Sequence, residues 1–526
     1  MTEKARGKIF YITTPLYYVN ASPHIGHAYT QIATDALARF RRLLGEDVFF
    51  LTGTDEHGEK IEEASIEAGH KEGEEKAFVD KIHENFKTLW KNLDIEYDFF
   101  IRTTDKSHEE AVKYILEALN KKGDIYKKKY EGYFCTPCET FWTNFQVSEN
   151  VCPDCKRPVE KIEEDNYFFK ISQYKDWLKD YINANPDFIK PTSRRNEIMG
   201  LLSNEELIDL CISRPKDRLK WGIEIPFDKD FVAYVWFDAL INYISAAGYP
   251  KDEKRFLSLW PADFHIIGKD IIRHHAIYWP IMLKALGLPM PKTIFAHGWW
   301  TFKGEKMSKS KGNIVDPNYM IATYGKDAFR YFLLREISFG LDGSFDEDSI
   351  ITRHDSDLAN DLGNLLNRTL TMVEKYYGGI IPPKASGSAS EEKNAKIKEI
   401  IKTLPDSMIR NMAQINFSGA LSSIWELVNA ANKYIEESKP WALFKEKKDE
   451  ELKAVMHNLL ESLGIVTIAV SAFMPSTAAE MWRQLAFKGR LTEACFDDMK
   501  GKKALAEPGL KINKANPLFP RIRSDK

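Results

Sequence analysis

Residues Tyr11 to His27, reading YITTPLYYVNASPHIGH, constrain the fold of this chain more than any other stretch. The apolar start suits a strand, Ser22-Pro23 suits a break, and His24-Ile25-Gly26-His27 opens an apolar-periodic run through Ile32, Leu37 and Phe40 that reads as a helix. With strand patterns at Ile9 to Thr13 and Asp47 to Thr52 on either side, this is a βαβ unit and the start of a parallel sheet. The turn then lies at the carboxyl end of a strand, where backbone N–H groups and the helix dipole favour a phosphate. Gly26 would let a flat base or ribose approach the backbone, and His24 and His27, three apart on a helix, project to one side. Taken alone, a histidine on a helix is more often a satisfied surface or core residue than a catalytic one.

A second phosphate-type signal is Lys306-Met307-Ser308-Lys309-Ser310, within FKGEKMSKSKGN. Its ammonium groups can reach a polyphosphate as mobile point charges, although such a charge run is usually a solvated loop. Between these signals lie Cys135-Thr136-Pro137-Cys138 and Cys152-Pro153-Asp154-Cys155. Each CxxC turn offers two thiolates, and four complete a tetrahedron around one structural zinc ion. A redox reading fits less well, because neither motif opens a helix after a thioredoxin-like strand. Cys211 and Cys495 are left over and read as ordinary small side chains.

PHIGH near the start and KMSKS further on resemble the paired signatures of class I aminoacyl-tRNA synthetases. The surrounding TPLYYVNASPHIGHAYT, TGTDEHG, VWFDALINYISAAG and HIIGKDIIRHH are similar to the methionyl-tRNA synthetase family, over a span from about Lys8 to the end of the chain. The resemblance implies a Rossmann-like α/β catalytic domain of parallel strands, a zinc-knuckle insertion and an all-α anticodon-binding bundle. It implies activation of L-methionine by ATP with Mg²⁺, followed by transfer to methionine tRNA.

Carried over residue by residue, it assigns His24, His27, Lys306 and Lys309 to catalysis, and these four with Gly26 and Asp270 to ATP. Leu16, Tyr18, Asp55, Trp236, Leu240, Tyr243, Ile271, His275, Tyr278 and Trp279 are assigned to methionine. Asp55 would hold the substrate ammonium by a charge-assisted hydrogen bond, while spacing alone makes it equally an N-cap. Val232 to Asp238 reads as a buried strand at which the sheet resumes, and Ile271, His275, Tyr278 and Trp279 share one face of a helix. Without the resemblance, both groups read as core packing.

The expected boundaries are 1–129 and 221–315 for the catalytic halves, 130–220 for the insertion, 316–351 for a linker, 352–500 for the bundle and 501–526 for a tail. On the first bundle helix, Leu358, Leu362 and Leu365 fall on one side and Asn360, Asn364, Asn367 and Thr371 on the other, with Arg368 flanking. Such an amide stripe can hydrogen-bond unstacked bases, and it can also be a plain solvated face. Asn364, Asn367, Arg368 and Trp441 are the expected anticodon contacts, with Trp441 matching a tryptophan on which the family stacks a base; its alternative is packing inside the bundle.

Lys and Arg number 74 against 77 Asp and Glu, a net charge of -3, so RNA must meet local basic patches. No signal core and no run of ~18 uninterrupted apolar residues are evident, and the six cysteines do not form a secreted disulfide framework. A cytoplasmic protein without a membrane contact is expected, and a monomer, since no further domain follows PLFPRIRSDK. Two other classes fit parts of the chain. Another HxGH nucleotidyltransferase needs neither the cysteines nor the helical end, and a non-enzymatic zinc RNA-binding protein leaves both phosphate motifs unexplained.

Overall fold

The computed structural model describes residues 8–142, 146–153, 155–302, 305–306, 315–385, 391–500 and 505–522. They form two compact units, each interleaved in sequence: Met1–Pro23, Asp47–Leu89 and Glu96–His297 in the first, and His24–Glu46, Trp90–Ile95 and Gly298–Lys526 in the second.

The first unit is built on a six-stranded parallel sheet in the order Phe99–Arg102, Val48–Asp55, Phe10–Tyr18, Phe264–Gly268, Thr293–His297, Ile189–Lys190. Helices cover it, and its strands are accordingly apolar on both faces. Strand order reverses between Phe10–Tyr18 and Phe264–Gly268, the switch point at which such sheets bind ligands.

Phe10–Tyr18 is longer than its apolar start suggests and runs through Pro15. Proline has no N–H to give a ladder and sits at irregularities. The register along Val48–Asp55 shifts between Thr13 and Leu16, and pairing to Phe264–Gly268 is confined to Ile12 and Thr13. Beyond Thr13 the two switch-point strands therefore part, while Leu16, Tyr17 and Tyr18 stay paired to Gly53, Thr54 and Asp55.

Residues 232–238 are not a strand of this sheet. Phe231–Ala233 pairs antiparallel with Ser213–Pro215, and Val235–Leu240 is a helix, so the next strand of the parallel sheet after this run is Phe264–Gly268. A short apolar run carries no period that separates a buried strand from a buried helical turn. The insertion is an antiparallel sheet ordered Thr140–Trp142, Ile125–Cys135, Glu160–Phe169, Leu210–Cys211. Within 130–220, Ile189–Lys190 nonetheless returns as the edge strand of the parallel sheet.

In the second unit, Ile25–Leu43 packs with Lys326–Arg335 through a buried ion pair. Arg330 Nη2 donates to Asp35 Oδ2 at 2.6 Å, Nη1 to the Leu93 carbonyl at 3.0 Å and Nε to the Phe473 carbonyl at 2.7 Å. Asp35 also accepts from Arg39 Nε at 2.8 Å.

The bundle helices are Asn364–Tyr377, Glu391–Ala413, Phe417–Ser438, Asp449–Val470 and Pro475–Gln484. Asp449–Val470 is long and apolar enough to cross a membrane, but its apolar window is 72% buried among its neighbours. Residues 505–522 do not trail away: the Ile381 N–H donates to the Leu510 carbonyl and the Ile512 N–H to the Gly379 carbonyl. Leu358, Leu362 and Leu365 are buried, and Asn360, Asn364, Asn367 and Thr371 exposed, as the helical projection requires. They stay on their sides even though His354–Gly363 is wound as a π-helix.

Candidate active site

Where the switch-point strands part, the first unit holds an aromatic pocket with a carboxylate in its wall. Tyr18 meets Trp236 edge to face at 6.1 Å, Trp236 stacks on His274 at 3.8 Å, and Tyr278 closes edge-on against His274 at 5.3 Å. Four buried polar atoms, Asp55 Oδ1, Tyr18 Oη, Trp236 Nε1 and His274 Nδ1, have no hydrogen-bond partner among the described residues. Buried polar atoms are almost always satisfied, so such a cluster between aromatic faces marks a place for a ligand with a polar head and an apolar tail. Burial, and then the nearby Asp238 and Glu139 carboxylates, push the Asp55 carboxyl well above the usual range. Asp55 does not cap the following helix, whose N-cap is Gly58.

The inner wall is a chain of hydrogen-bonded rings. His275 Nδ1 donates to the Ile271 carbonyl at 2.9 Å, which leaves Nε2 to accept from Tyr243 Oη at 2.7 Å. Tyr243 stacks on His265 at 4.2 Å, and His265 accepts from Trp279 Nε1 at 3.3 Å. Leu240, Tyr243, His275 and Trp279 are buried, whereas Leu16, Ile271 and Tyr278 are partly exposed.

The four-residue stripe 271, 275, 278, 279 is not an α-helical face. Lys269–Ile271 is a 3₁₀ turn, His274–Tyr278 a π turn, and only Trp279–Leu286 an α-helix. A π turn advances less than 100° per residue, which rotates His274 into the pocket although the α-helical spacing leaves it out. Asp270 is exposed on the 3₁₀ turn at the carboxyl end of Phe264–Gly268.

Burial lowers His275 to about 4 and holds His265 and His274 well below the ordinary histidine value. Unfolded, these rings protonate near 6.5, so below that pH the unfolded chain binds more protons and stability falls until the folded rings protonate in turn. A melting temperature that declines as pH drops from about 6.5 toward 4, with a shallower decline in His275→Gln, is the expected result of melts at several pH values. Equal slopes in both proteins would refute it.

A polar network not anticipated from the sequence braces this pocket. Asp238 accepts from His57 Nδ1 and His108 Nε2, both at 2.7 Å, and His108 Nδ1 meets Ser245 Oγ at 2.8 Å. Despite burial, which pushes the Asp238 carboxyl upward, these two imidazoles hold it below its ordinary value. The network joins the loop that follows Asp55 to the helix that carries Trp236. Glu56, between Asp55 and His57, takes a bidentate pair from Arg102 at 2.7 and 2.8 Å.

The knuckle docks on the same loop. Glu139, directly after Cys138, accepts from the Lys60 N–H at 2.8 Å and so supplies the first turn of Glu59–Glu67 with the acceptor that Gly58 lacks. Gly58 sits at φ +103°, and a Cβ there would come within 2.8 Å of Glu139 Oε1.

The Sγ atoms of Cys135, Cys138, Cys152 and Cys155 lie within 4.8 Å of one another, with Cys135 to Cys155 at 3.6 Å and Cys138 to Cys152 at 4.0 Å. Tetrahedral zinc with Zn–S of ~2.3 Å places its sulfurs ~3.8 Å apart, so the donor set and spacing fit one zinc ion with no position left open. All six cysteines are free thiols; Cys211 is buried and Cys495 exposed.

The phosphate motif belongs to the second unit. His24 is the N-cap of Ile25–Leu43: its Nδ1 accepts from the Gly26 N–H at 3.1 Å, and His27 Nδ1 accepts from the His24 N–H at 3.2 Å. The rings stack at 3.8 Å, and this reciprocal cap sets both Nε2 atoms as donors. A Cβ on Gly26 would lie 2.9 Å from the His24 ring, so the space opened by this glycine is filled by the imidazole rather than by a base. Lys306 closes a short antiparallel pair with Trp300–Phe302. Lys309 lies outside the described residues.

On the bundle, Asn364 and Asn367 are exposed, Arg368 pairs with Glu436 at 2.6 Å, and Trp441 is 45% exposed. That exposure excludes core packing of Trp441.

A doubly wound sheet with an aromatic pocket at its switch point, a histidine-capped helix and a helical bundle defines a class I aminoacyl-tRNA synthetase. Residues 10–162 and 156–370 match the family model described as tRNA synthetases class I (M), and 382–526 match the anticodon binding domain of methionyl tRNA ligase. The chain belongs to the methionyl-tRNA synthetase family.

It is 50% identical to the methionine–tRNA ligase of Caldanaerobacter subterraneus subsp. tengcongensis, over 99% of this chain and 80% of that one. It is 49% identical to that of Clostridium tetani, over 98% and 79%. Mycobacterium tuberculosis methionyl-tRNA synthetase in complex with methionyl-adenylate superposes with a TM-score of 0.92 at 39% identity, covering 98% of this chain and all of that one. Neither a smaller HxGH nucleotidyltransferase nor a non-enzymatic zinc protein accounts for both family matches.

Proposed function

We propose that the residues described above divide the family's reaction, ATP-dependent attachment of methionine to its tRNA, into three tasks. The aromatic pocket binds methionine: Asp55 receives the ammonium, Tyr18 and Trp236 flank it, and Leu16, Leu240, Tyr243, Ile271, His275, Tyr278 and Trp279 enclose the thioether, which packs well against aromatic edges and faces. The observation that carries this reading is the partnerless Asp55 oxygen among those rings.

The second task is chemistry. The methionine carboxylate attacks the α-phosphorus of ATP, giving methionyl-adenylate and pyrophosphate; a terminal ribose hydroxyl of tRNA then takes the methionyl group and AMP leaves. His24 and His27, as Nε2 donors at a helix N-terminus, suit the phosphate, with Gly26 between them and Asp270 toward the ribose. Lys306 and Lys309 supply positive charge to the departing pyrophosphate, to which Mg²⁺, when bound with ATP, would add. The third task is anticodon reading by Asn364, Asn367, Arg368 and Trp441. Cys135, Cys138, Cys152 and Cys155 would hold one structural zinc ion that fixes the knuckle. A cytoplasmic monomer is part of the proposal, as are the sequence boundaries of the domains.

Methionine-dependent ATP–pyrophosphate exchange without tRNA tests the activation step, and its absence would overturn the reading. Lys309→Ala is expected to slow exchange about tenfold to a hundredfold with methionine KM nearly intact, because the lysine acts on charge that develops in the transition state. An effect confined to methionine KM would contradict that role. Trp441→Ala is expected to leave exchange and the melting temperature unchanged while lowering aminoacylation kcat/KM roughly tenfold to a hundredfold, the loss of ~1–3 kcal/mol of base stacking. Parallel losses in both activities would refute the anticodon contact.

A further inference from the structure

Trp441 and Phe444 are among the most exposed large apolar side chains, at 45% and 46%, and both stand on the short helix Pro440–Lys445. Three apart, they share one side of that helix. Exposed rings gathered in one place usually meet a partner. Phe444 is backed: its ring stacks on Tyr376 with centroids 4.6 Å apart and planes at 24°. With one face on Tyr376, its exposed area belongs to the opposite face and edge.

Tyr376 comes from the last turn of Asn364–Tyr377, the helix that presents Asn364 and Asn367 to solvent. Around the rings, Lys448 pairs with Glu446, but Lys439, Lys445 and Lys447 make no ion pair among the described residues. Unneutralised lysines beside bare aromatic faces are the composition of a single-stranded nucleic-acid surface, charge for the backbone and rings for the bases. Trp441, Phe444 and these lysines lie within residues 382–526, the stretch matched by the anticodon-binding family model.

We infer that Phe444, backed by Tyr376, is a second stacking platform that receives an unpaired base of the anticodon loop outside the triplet. This rests on the reading of Trp441 as an anticodon contact and extends it. A phenyl ring offers no donor or acceptor and cannot check a base edge, so it suits a loop position where any base is accepted. The amide stripe of Asn364 and Asn367 has the opposite property and suits the triplet.

The test uses the full chain and a methionine anticodon stem-loop RNA, intact or with one abasic nucleotide at each loop position in turn, with Kd measured at fixed salt. Phe444→Ala is expected to weaken the intact RNA about tenfold, and Phe444→Trp to restore it. One abasic RNA outside the triplet should bind wild type equally weakly and lose nothing further in Phe444→Ala. Trp441→Ala should show the same non-additivity with a triplet position instead. If Phe444→Ala binds the intact loop like wild type while Trp441→Ala does not, the second platform is overturned and the Trp441 contact stands. If both bind like wild type, both readings fall. A loss in Phe444→Ala that is equal across all abasic RNAs, with a lowered melting temperature, would make the ring a support for the helix and overturn the platform.

Discussion

Asp55→Asn is expected to lower kcat/KM for methionine by roughly thirtyfold to several thousandfold, the ~2–5 kcal/mol associated with removing one charge from a buried hydrogen-bonded pair. The loss should appear chiefly in methionine KM, with ATP KM little changed. The same substitution is expected to leave the melting temperature unchanged or raise it. With no substrate ammonium beside it, Asp55 is a buried carboxyl with one oxygen unpartnered, pushed well above its usual range by burial, Asp238 and Glu139.

Its raised value means that the folded protein gains from holding the proton. That contribution is full below the unfolded value near 3.9 and is lost as pH rises through the folded value. Asparagine is isosteric and removes this burden, so activity and stability should move in opposite directions. Pyrophosphate exchange and a melt on the same preparation check both halves. An unchanged methionine KM, or a melting temperature several degrees lower, would contradict the assignment.

Arg330→Met is expected to cost about 3–5 kcal/mol of stability, because it strands a buried carboxylate. Arg330 and Asp35 are both fully buried, and Arg330 also satisfies the Leu93 and Phe473 carbonyls. Adding Asp35→Leu should recover part of the loss, since removing both charges is far cheaper than removing one. Denaturant titration of the three proteins decides it. A single variant within ~1 kcal/mol of wild type would show that water or Arg39 compensates.

What could be read from the sequence, and what could not, follows from the range of the interactions. The strand, turn and helix around PHIGH, the four thiols and the leucine and asparagine faces of the first bundle helix are local patterns, and each is present in the fold. The helix at Val235–Leu240 was hidden because a six-residue run that is apolar except for Asp238 fits either period. His274 was missed because a π turn changes the rotation per residue, although the adjacent His274-His275 pair was a visible hint. The Asp238 network was invisible in principle: its partners His57 and His108 lie 181 and 130 positions away, and nothing local marks them as a set.

The Arg330 keystone has a bearing on how the chain is made. Asp35 leaves the ribosome early, with Arg39 close behind it, but the buried Arg330 guanidinium that pairs with it and the residue-473 carbonyl that orients that guanidinium come far later. At ~5–20 residues per second, roughly 15–60 s pass before Arg330 is made and roughly 20–90 s before residue 473 is, an interval in which the first helix of the second unit carries its acidic side chain with Arg39 alone beside it and without the buried guanidinium that makes burial tolerable. Final closure of that unit is therefore a late event of synthesis, and a nascent chain stalled before residue 473 would present that helix unburied, a substrate for chaperones or proteases rather than a partial enzyme.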